Sequence, residues 1–191
     1  MGGGYLGNAG VFLVQTLFGL YIFAVLLRLM LQYVRADFYN PLAQAIVTIT
    51  DPPLRPMRRY IPGVAGIDMS SVLLALVLQF ICTTLVHMIV NIPLGVIGTF
   101  VVSCAEILSK CIWIMIGGIL LQVLASWIAP GTYNPVMSMI DSITAPIIRP
   151  FRRLIPPISG LDLSPLAALI VLNLSLLLIV SPLKGFGFML G

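Results

Sequence analysis

Pro52-Pro53-Leu54-Arg55-Pro56-Met57-Arg58-Arg59-Tyr60-Ile61-Pro62 recurs, ninety-four residues on and without a gap, as Pro146-Ile147-Ile148-Arg149-Pro150-Phe151-Arg152-Arg153-Leu154-Ile155-Pro156. Upstream of it, Tyr39-Asn40-Pro41 returns as Tyr133-Asn134-Pro135; downstream, Gly66-x-Asp68-x-Ser70 returns as Gly160-x-Asp162-x-Ser164. From Tyr39 to Ser70 against Tyr133 to Ser164, sixteen of thirty-two aligned positions are identical, well above what shared hydrophobicity alone produces. The chain is therefore a tandem duplication. Its two units are taken as residues 1–98 and 99–191. The segments flanking the motif are long, apolar and only loosely alike, so the copies kept the polar, Pro-rich and Arg-rich piece between them.

Composition gives the broad class. Hydrophobic residues make up 60% of the chain, charged residues only 8%, and the mean hydropathy is +1.12. A soluble globule carries about 25% charged residues to cover its surface. The sequence reads as an integral membrane protein. Cys82, Cys104 and Cys111 are odd in number and lie in or beside apolar runs, which points to buried free thiols rather than a disulfide framework or a metal site. The first charge is Arg28, so the start lacks the basic region of a secretory signal, and Leu6 stands where a myristoylation site needs Ser or Thr.

Crossing the hydrocarbon takes roughly 17–25 residues of helix. The first span is expected at about 11–34, with Arg28 near its end. No Asp, Glu, Lys or Arg occurs between Asp68 and Glu106, and a single helix of that length overshoots a bilayer. Asn91-Ile92-Pro93-Leu94-Gly95 is the natural break, which puts a second span at about 71–91 and a third at about 104–127. The third is expected to open on Ser103-x-x-Glu106, the spacing of a capping box. The fourth is expected at about 165–180, with Ser164 as N-cap, Pro165 in the first turn and Pro182 as its stop.

The basic residues suggest an orientation. Arg35, Arg55, Arg58 and Arg59 lie between the first two spans, Arg149, Arg152 and Arg153 between the last two, and only Lys110 and Lys184 remain for the other side. By the positive-inside rule both repeated loops face the cytoplasm of a bacterial inner membrane, with both termini periplasmic. Two spans separate the copies, so the repeats are parallel rather than inverted.

Within each motif, Asn40 and Asn134 are good N-caps and Pro41 and Pro135 good first-turn residues. A short amphipathic helix lying in the interface is expected to follow, with Leu42, Ile46 and Ile49, or Val136, Ile140 and Ile143, on its apolar side, ended by Pro52 or Pro146. A second short element then presents Arg55, Arg58 and Arg59, or Arg149, Arg152 and Arg153, at i, i+3 and i+4 on one side of a turn. Guanidinium groups fit phosphate in a bidentate way that Lys does not, so these six are the candidate contacts for anionic lipid or a partner; the plainer reading makes them orientation signals. Pro62, Pro156, Asp68 and Asp162 complete the motif as structural positions.

The pattern Y-N-P, then P-x-x-R-P-x-R-R-x-I-P, then G-x-D-x-S, present twice, resembles the YggT family of small integral membrane proteins, which has relatives encoded in plastids. The resemblance covers nearly the whole chain. It implies a membrane protein linked in different lineages to osmotic tolerance, to cell division or nucleoid distribution, and to the assembly of membrane complexes. One departure between the copies is Asp51, which Ala145 replaces, so that acid is not required in both.

Elsewhere, Arg28 matches Gln122, and snorkelling to the cytoplasmic side is favoured over a functional buried pair. Glu106 and Lys110 are one turn apart and are read as a local ion pair. His87, the single histidine, lacks the companions of a metal or catalytic set. Gln79, Asn91 and Asn173 are expected to bond between helices, Gly117-Gly118 to allow close helix contact, and Tyr33 and Trp127 to sit in an aromatic belt. No cofactor, metal, enzyme activity or nucleic-acid partner is expected. The preferred function is a structural or adaptor protein binding anionic lipid, a membrane-protein partner or a second copy of itself. The alternative is a small channel or transporter for ions or osmolytes.

Overall fold

The computed structural model describes residues 4–36, 40–92, 94–128, 134–155 and 162–190. They form α1 (Tyr5–Tyr33), α2 (Pro41–Tyr60), α3 (Met69–Val90), α4 (Val96–Ile128), α5 (Pro135–Leu154) and α6 (Ser164–Ser175), then a π turn (Leu176–Val180) and α7 (Ser181–Met189). Among the described residues, four stretches are long and apolar enough to cross a membrane: α1, α3, α4 and the continuous run Ser164–Met189. Only 17% to 22% of the most apolar stretch of each is buried within the protein, which is what helices surrounded by lipid require. The order span, interfacial helix, span occurs twice in the same sense.

The helix ends follow local chemistry. Asn40 Oδ1 accepts from Ala43 N at 2.7 Å and Asn134 Oδ1 from Val136 N at 2.9 Å, so both expected N-caps form, each followed by its proline. At the end of α1, Arg35 takes a left-handed φ of 52° and Ala36 N bonds back to Leu31 O at 2.9 Å. Asn91 does the same at the end of α3, φ 54°, with Ile92 N on His87 O at 3.1 Å. Both are Schellman-type ends, and Asn tolerates the left-handed region well.

Several expected boundaries move. The third span starts at Val96, ahead of Ser103-x-x-Glu106, because no proline or charge lies between Val96 and Ser103 to interrupt it and Thr99 N already bonds Gly95 O at 2.8 Å. Ser103 is therefore an interior residue, fully buried, donating to Thr99 O at 2.7 Å. In the fourth span Ser164 is the first helical residue rather than the cap, its N–H held by Asp162 Oδ1 at 2.9 Å. Pro182 does not stop that span. The wider π turn just before it accommodates the ring, and Ser181 Oγ donates to Leu176 O at 3.1 Å.

The prolines also fail to end the interfacial helices: α2 runs through Pro52, Pro53 and Pro56, and α5 through Pro146 and Pro150. A proline orphans the carbonyl four residues before it. For Pro53 that carbonyl is Ile49 O, and Tyr21 OH from α1 donates to it at 3.3 Å. The second copy has Ile147 in place of Pro53 and Met115 in place of Tyr21, so it lacks both the orphan and its donor. The buried side of α2 is Ala43, Ile46, Thr50 and Leu54, and that of α5 is Met139, Ile143, Thr144 and Ile148. Of the expected apolar side, Ile46 packs against the protein, while Leu42 and Ile49 are left exposed by it.

Three apolar clusters hold the elements. One joins α1, α3 and α4 through Ile22, Val25, Leu26, Ala75 and Ile114. Another lies within the second copy, with Ile112, Ile116 and Ile119 against Ile148, Ala168 and Leu172. The third collects Leu31 and Ala36 with Ala43 and Ile46 of α2 and Met139 and Ile143 of α5. The two interfacial helices thus share one apolar cluster at the end of α1. Close approach at α4 is made by Gly118 alone of the Gly117-Gly118 pair: a Cβ there comes within 2.9 Å of Thr144 Cγ2 and 3.3 Å of Ile140 Cγ2, whereas Gly117 has nothing within 4 Å.

Candidate functional site

The site is built where α2 and α5 meet the ends of the spans. Arg28 is not a snorkelling side chain: it is 5% exposed and engaged inward. Its Nη1 donates to Thr50 Oγ1 at 2.8 Å and Val47 O at 3.2 Å, and its Nη2 to Asp51 Oδ1 at 2.6 Å. The other oxygen of Asp51 accepts from Arg55 Nε at 2.9 Å. The Arg28 hydrogen bond is the largest cause holding the Asp51 carboxyl below its ordinary range. A guanidinium can stay buried here because a carboxylate faces it and three of its five N–H groups are bonded within the protein.

The second copy solves the same problem without the cation. Gln122, in the place of Arg28, donates to Thr144 Oγ1 at 2.6 Å and to Asp141. Thr144 matches Thr50, whereas Asp141 matches Val47, one helical turn before the position Asp51 holds. The acid lost at Ala145 is thus replaced a turn earlier on the same side of the helix. Three coordinated changes carry this signal in the sequence, Arg28 to Gln122, Val47 to Asp141 and Asp51 to Ala145, and reading Asp51 by itself misses it.

The motif arginines do not act as one set. Arg58 turns back to the start of α3, donating from Nε to Asp68 Oδ2 at 3.0 Å and from Nη2 to the same oxygen, with Gln32 Oε1 at 3.4 Å. Asp68 is buried and also accepts from Ser71 Oγ at 2.8 Å. Burial pushes the Asp68 carboxyl up, but the Arg58 and Ser71 hydrogen bonds outweigh it and leave it below the usual range. A tight turn delivers Asp68: Val64 and Ile67 exchange bonds of 3.1 and 2.9 Å across Ala65 and Gly66, both at positive φ.

The second copy repeats the clasp, with Arg152 Nε on Asp162 Oδ2 at 2.9 Å. Burial raises the Asp162 carboxyl, and Ser164 together with Arg152 brings it below the ordinary value. In both copies this pair ties the end of the interfacial helix to the next span. Arg59, Arg149 and Arg153 are exposed and make no hydrogen bond or ion pair among the described residues. Pro62 is exposed just past the end of α2, while Tyr39, Tyr133, Pro156 and Gly160 lie outside the described residues.

Between α1 and α2 opens a cleft of about 580 Å³ lined by Arg28, Gln32, Gln44, Val47, Thr48 and Arg58. Toward the other end of the spans, Glu106 pairs with Lys110 at 3.2 Å as expected, and also with Lys184 at 2.7 Å. Lys184, assigned from sequence to an outer segment, is carried by α7 into the bundle. His87 is a packing residue, Nδ1 2.8 Å from Thr83 O and its ring tilted against Phe188. Gln79 and Asn173 bond within their own helices, to Thr83 and Leu169 O, and the contact between helices runs instead from Ser103 to Thr83 at 3.4 Å.

The chain is matched twice by the family model described as CCB3/YggT, over residues 7–89 and 101–183. It is 41% identical over 182 residues to an uncharacterized protein, PA0392, of Pseudomonas aeruginosa, covering 94% of this chain and 92% of that one. An uncharacterized protein in the proC 3′ region of Vibrio alginolyticus is 37% identical, with coverage of 87% and 90%. Escherichia coli K12 YggT, also described as uncharacterized, is 32% identical, with coverage of 96% and 95%. No solved structure matches the chain at a significant level. With both copies of the repeat matched and relatives aligned along almost their whole length, the chain belongs to the CCB3/YggT family.

Proposed function

We propose that this is a structural or adaptor protein of the bacterial inner membrane, with its two interfacial helices on the cytoplasmic face and both termini periplasmic, holding anionic lipid or an acidic partner in envelope, division or osmotic-stress physiology. The observation that carries the reading is the division of labour among the motif arginines. Arg58 and Arg152 are spent on Asp68 and Asp162, whereas Arg59, Arg149 and Arg153 stand exposed without protein partners among the described residues. Each cationic side chain near an anionic surface contributes on the order of 1 kcal/mol of attraction. Changing Arg59, Arg149 and Arg153 to Gln is expected to lower binding to phosphatidylglycerol vesicles by roughly tenfold or more while the melting temperature is kept. A variant that binds those vesicles as the parent does removes the lipid-holding role of the exposed arginines.

A second reading, a small conduit for ions or osmolytes, draws on Glu106, Lys110 and Lys184, three charges inside candidate spans. Its test is ion flux from liposomes under an osmotic step. Flux proportional to protein density and abolished by Glu106→Gln favours the conduit over the adaptor.

A further inference from the structure

The cleft between α1 and α2 has a feature that the exposed arginines lack, which is guanidinium groups fixed by ion pairs that still keep N–H groups without partners among the described residues. A guanidinium has five N–H groups. Arg28 uses three, on Val47 O, Thr50 Oγ1 and Asp51 Oδ1, and Arg58 uses three, two on Asp68 and one on Gln32. That leaves Nε and one Nη2 hydrogen of Arg28, and both Nη1 hydrogens of Arg58, without partners among the described residues. From these donors we infer that the cleft is a binding site for one phosphate group.

Charge, depth and size agree with that assignment. Asp51 is shared by Arg28 and Arg55, one on each oxygen, so it cancels only one of them, while Asp68 cancels Arg58. The walls therefore keep a positive charge, to which exposed Arg59 adds. Arg28 is six residues, about 9 Å, short of Val34 at the end of α1, the level at which amphipathic α2 packs and at which an interfacial helix meets headgroups. Ligand sites run from about 300 to 1,000 Å³. The 580 Å³ here takes a phosphodiester headgroup, with Val47 as its one apolar wall.

The duplication supplies an internal control. At the matching positions the second copy has Gln122 for Arg28, Ser126 for Gln32 and Asp141 for Val47, which removes a cation and sets a carboxylate where the anion would lie. The site therefore belongs to the first copy, one per chain. The inference rests on the lipid-holding reading above but assigns tight retention to the cleft rather than to the exposed arginines.

The experiment is native mass spectrometry of the purified full-length protein released from micelles containing phosphatidylglycerol, with diacylglycerol as the lipid that lacks phosphate. The parent is expected to retain one phosphatidylglycerol and no diacylglycerol. Val47→Asp, which copies Asp141 and removes no member of an ion pair, is expected to lose that lipid by about tenfold or more in affinity, and Val47→Asn to keep it. Gln32→Glu provides the same test from the α1 side should Val47→Asp fold poorly. The Gln variant of Arg59, Arg149 and Arg153 is expected to keep the single tight lipid, so the cleft and the exposed arginines fail separately. Displacement by inorganic phosphate identifies a site for the free ion as well, and resistance to it identifies the lipid phosphodiester. Retention of diacylglycerol equal to that of phosphatidylglycerol, or unchanged retention by both acidic variants, overturns the inference.

Discussion

Replacing Asp51 by Ala orphans Arg28, whose side chain is 6% exposed against 19% for that of Asp51. Removing one member of a buried ion pair costs about 3–5 kcal/mol. Arg28 keeps Thr50 Oγ1 and Val47 O, and Asp51 is partly open, so a loss of roughly 2–3 kcal/mol is expected. At about 2–4 °C per kcal/mol for a domain of this size, the melting temperature should fall by roughly 5–10 °C. Thermal unfolding of the purified protein in a mild detergent, followed by helical circular dichroism, reads this directly. The stronger test is to transplant the second copy's solution. Arg28→Gln with Val47→Asp and Asp51→Ala reproduces the Gln122, Asp141 and Ala145 set and is expected to return to within about 1 kcal/mol of the parent, because the amide then bonds an acid and Thr50 as Gln122 bonds Asp141 and Thr144. If Asp51→Ala melts with the parent, or the triple variant melts no higher than Asp51→Ala, the two networks are not equivalent and the reasoning fails.

Other expectations follow from the same contacts. Tyr21→Phe should cost about 1 kcal/mol by leaving Ile49 O without a donor, and the loss should shrink when Pro53→Ile restores a backbone N–H for that carbonyl; equal losses in both backgrounds would break the link. Gly118→Ala should destabilise by roughly 1–3 kcal/mol where its Cβ meets Thr144, with Gly117→Ala unaffected, as measured by thermal unfolding. Asp51, Asp68 and Asp162 all have depressed carboxyls, so their stabilisation is complete above the ordinary carboxylate range and is lost as pH falls through the lowered values. Melting should accordingly drop below about pH 4, and less so in Asp51→Asn. Single cysteines near Met57 and Phe151 should be labelled from one side of the membrane, and cysteines near Gly4 and Leu190 from the other; opposite labelling of the two motifs contradicts the parallel repeat.

The four spans were legible because apolar length and the duplicated motif are both properties of contiguous sequence. Errors gathered where a residue's meaning depends on a partner far along the chain. Pro52 and Pro146 read as helix ends when only their own neighbours are considered, yet α2 and α5 are clamped against the spans along Ala43, Ile46, Thr50 and Leu54 and along Met139, Ile143, Thr144 and Ile148. Packing of that kind outweighs a local break. Pro182 was overruled in the same way, since its helix is fastened to α4 by Gly187 against Gly98 and Val102 and by Lys184 on Glu106. Arg28 misled because an Arg near a span end snorkels by default, and nothing local announced Asp51.

What the sequence did contain, and a residue-by-residue reading passed over, is correlated change between the copies. Tyr21 with Pro53 becomes Met115 with Ile147, and Arg28 with Val47 and Asp51 becomes Gln122 with Asp141 and Ala145. In each case members of one hydrogen-bonded set change together, while Thr50 and Thr144, which serve both solutions, stay the same. Within the motif the same logic separates two kinds of arginine. Arg58 and Arg152 come with Asp68 and Asp162 in both copies and act inside the fold, so their retention requires no ligand. Arg59 and Arg153 are retained with no such partner among the described residues, so the fold alone does not account for them. Orientation in the membrane needs only charge, which Lys supplies as well as Arg. A Lys variant at Arg59 and Arg153 therefore divides the remaining explanations: unchanged vesicle binding assigns these positions to topology, and weakened binding at equal charge assigns them to phosphate recognition.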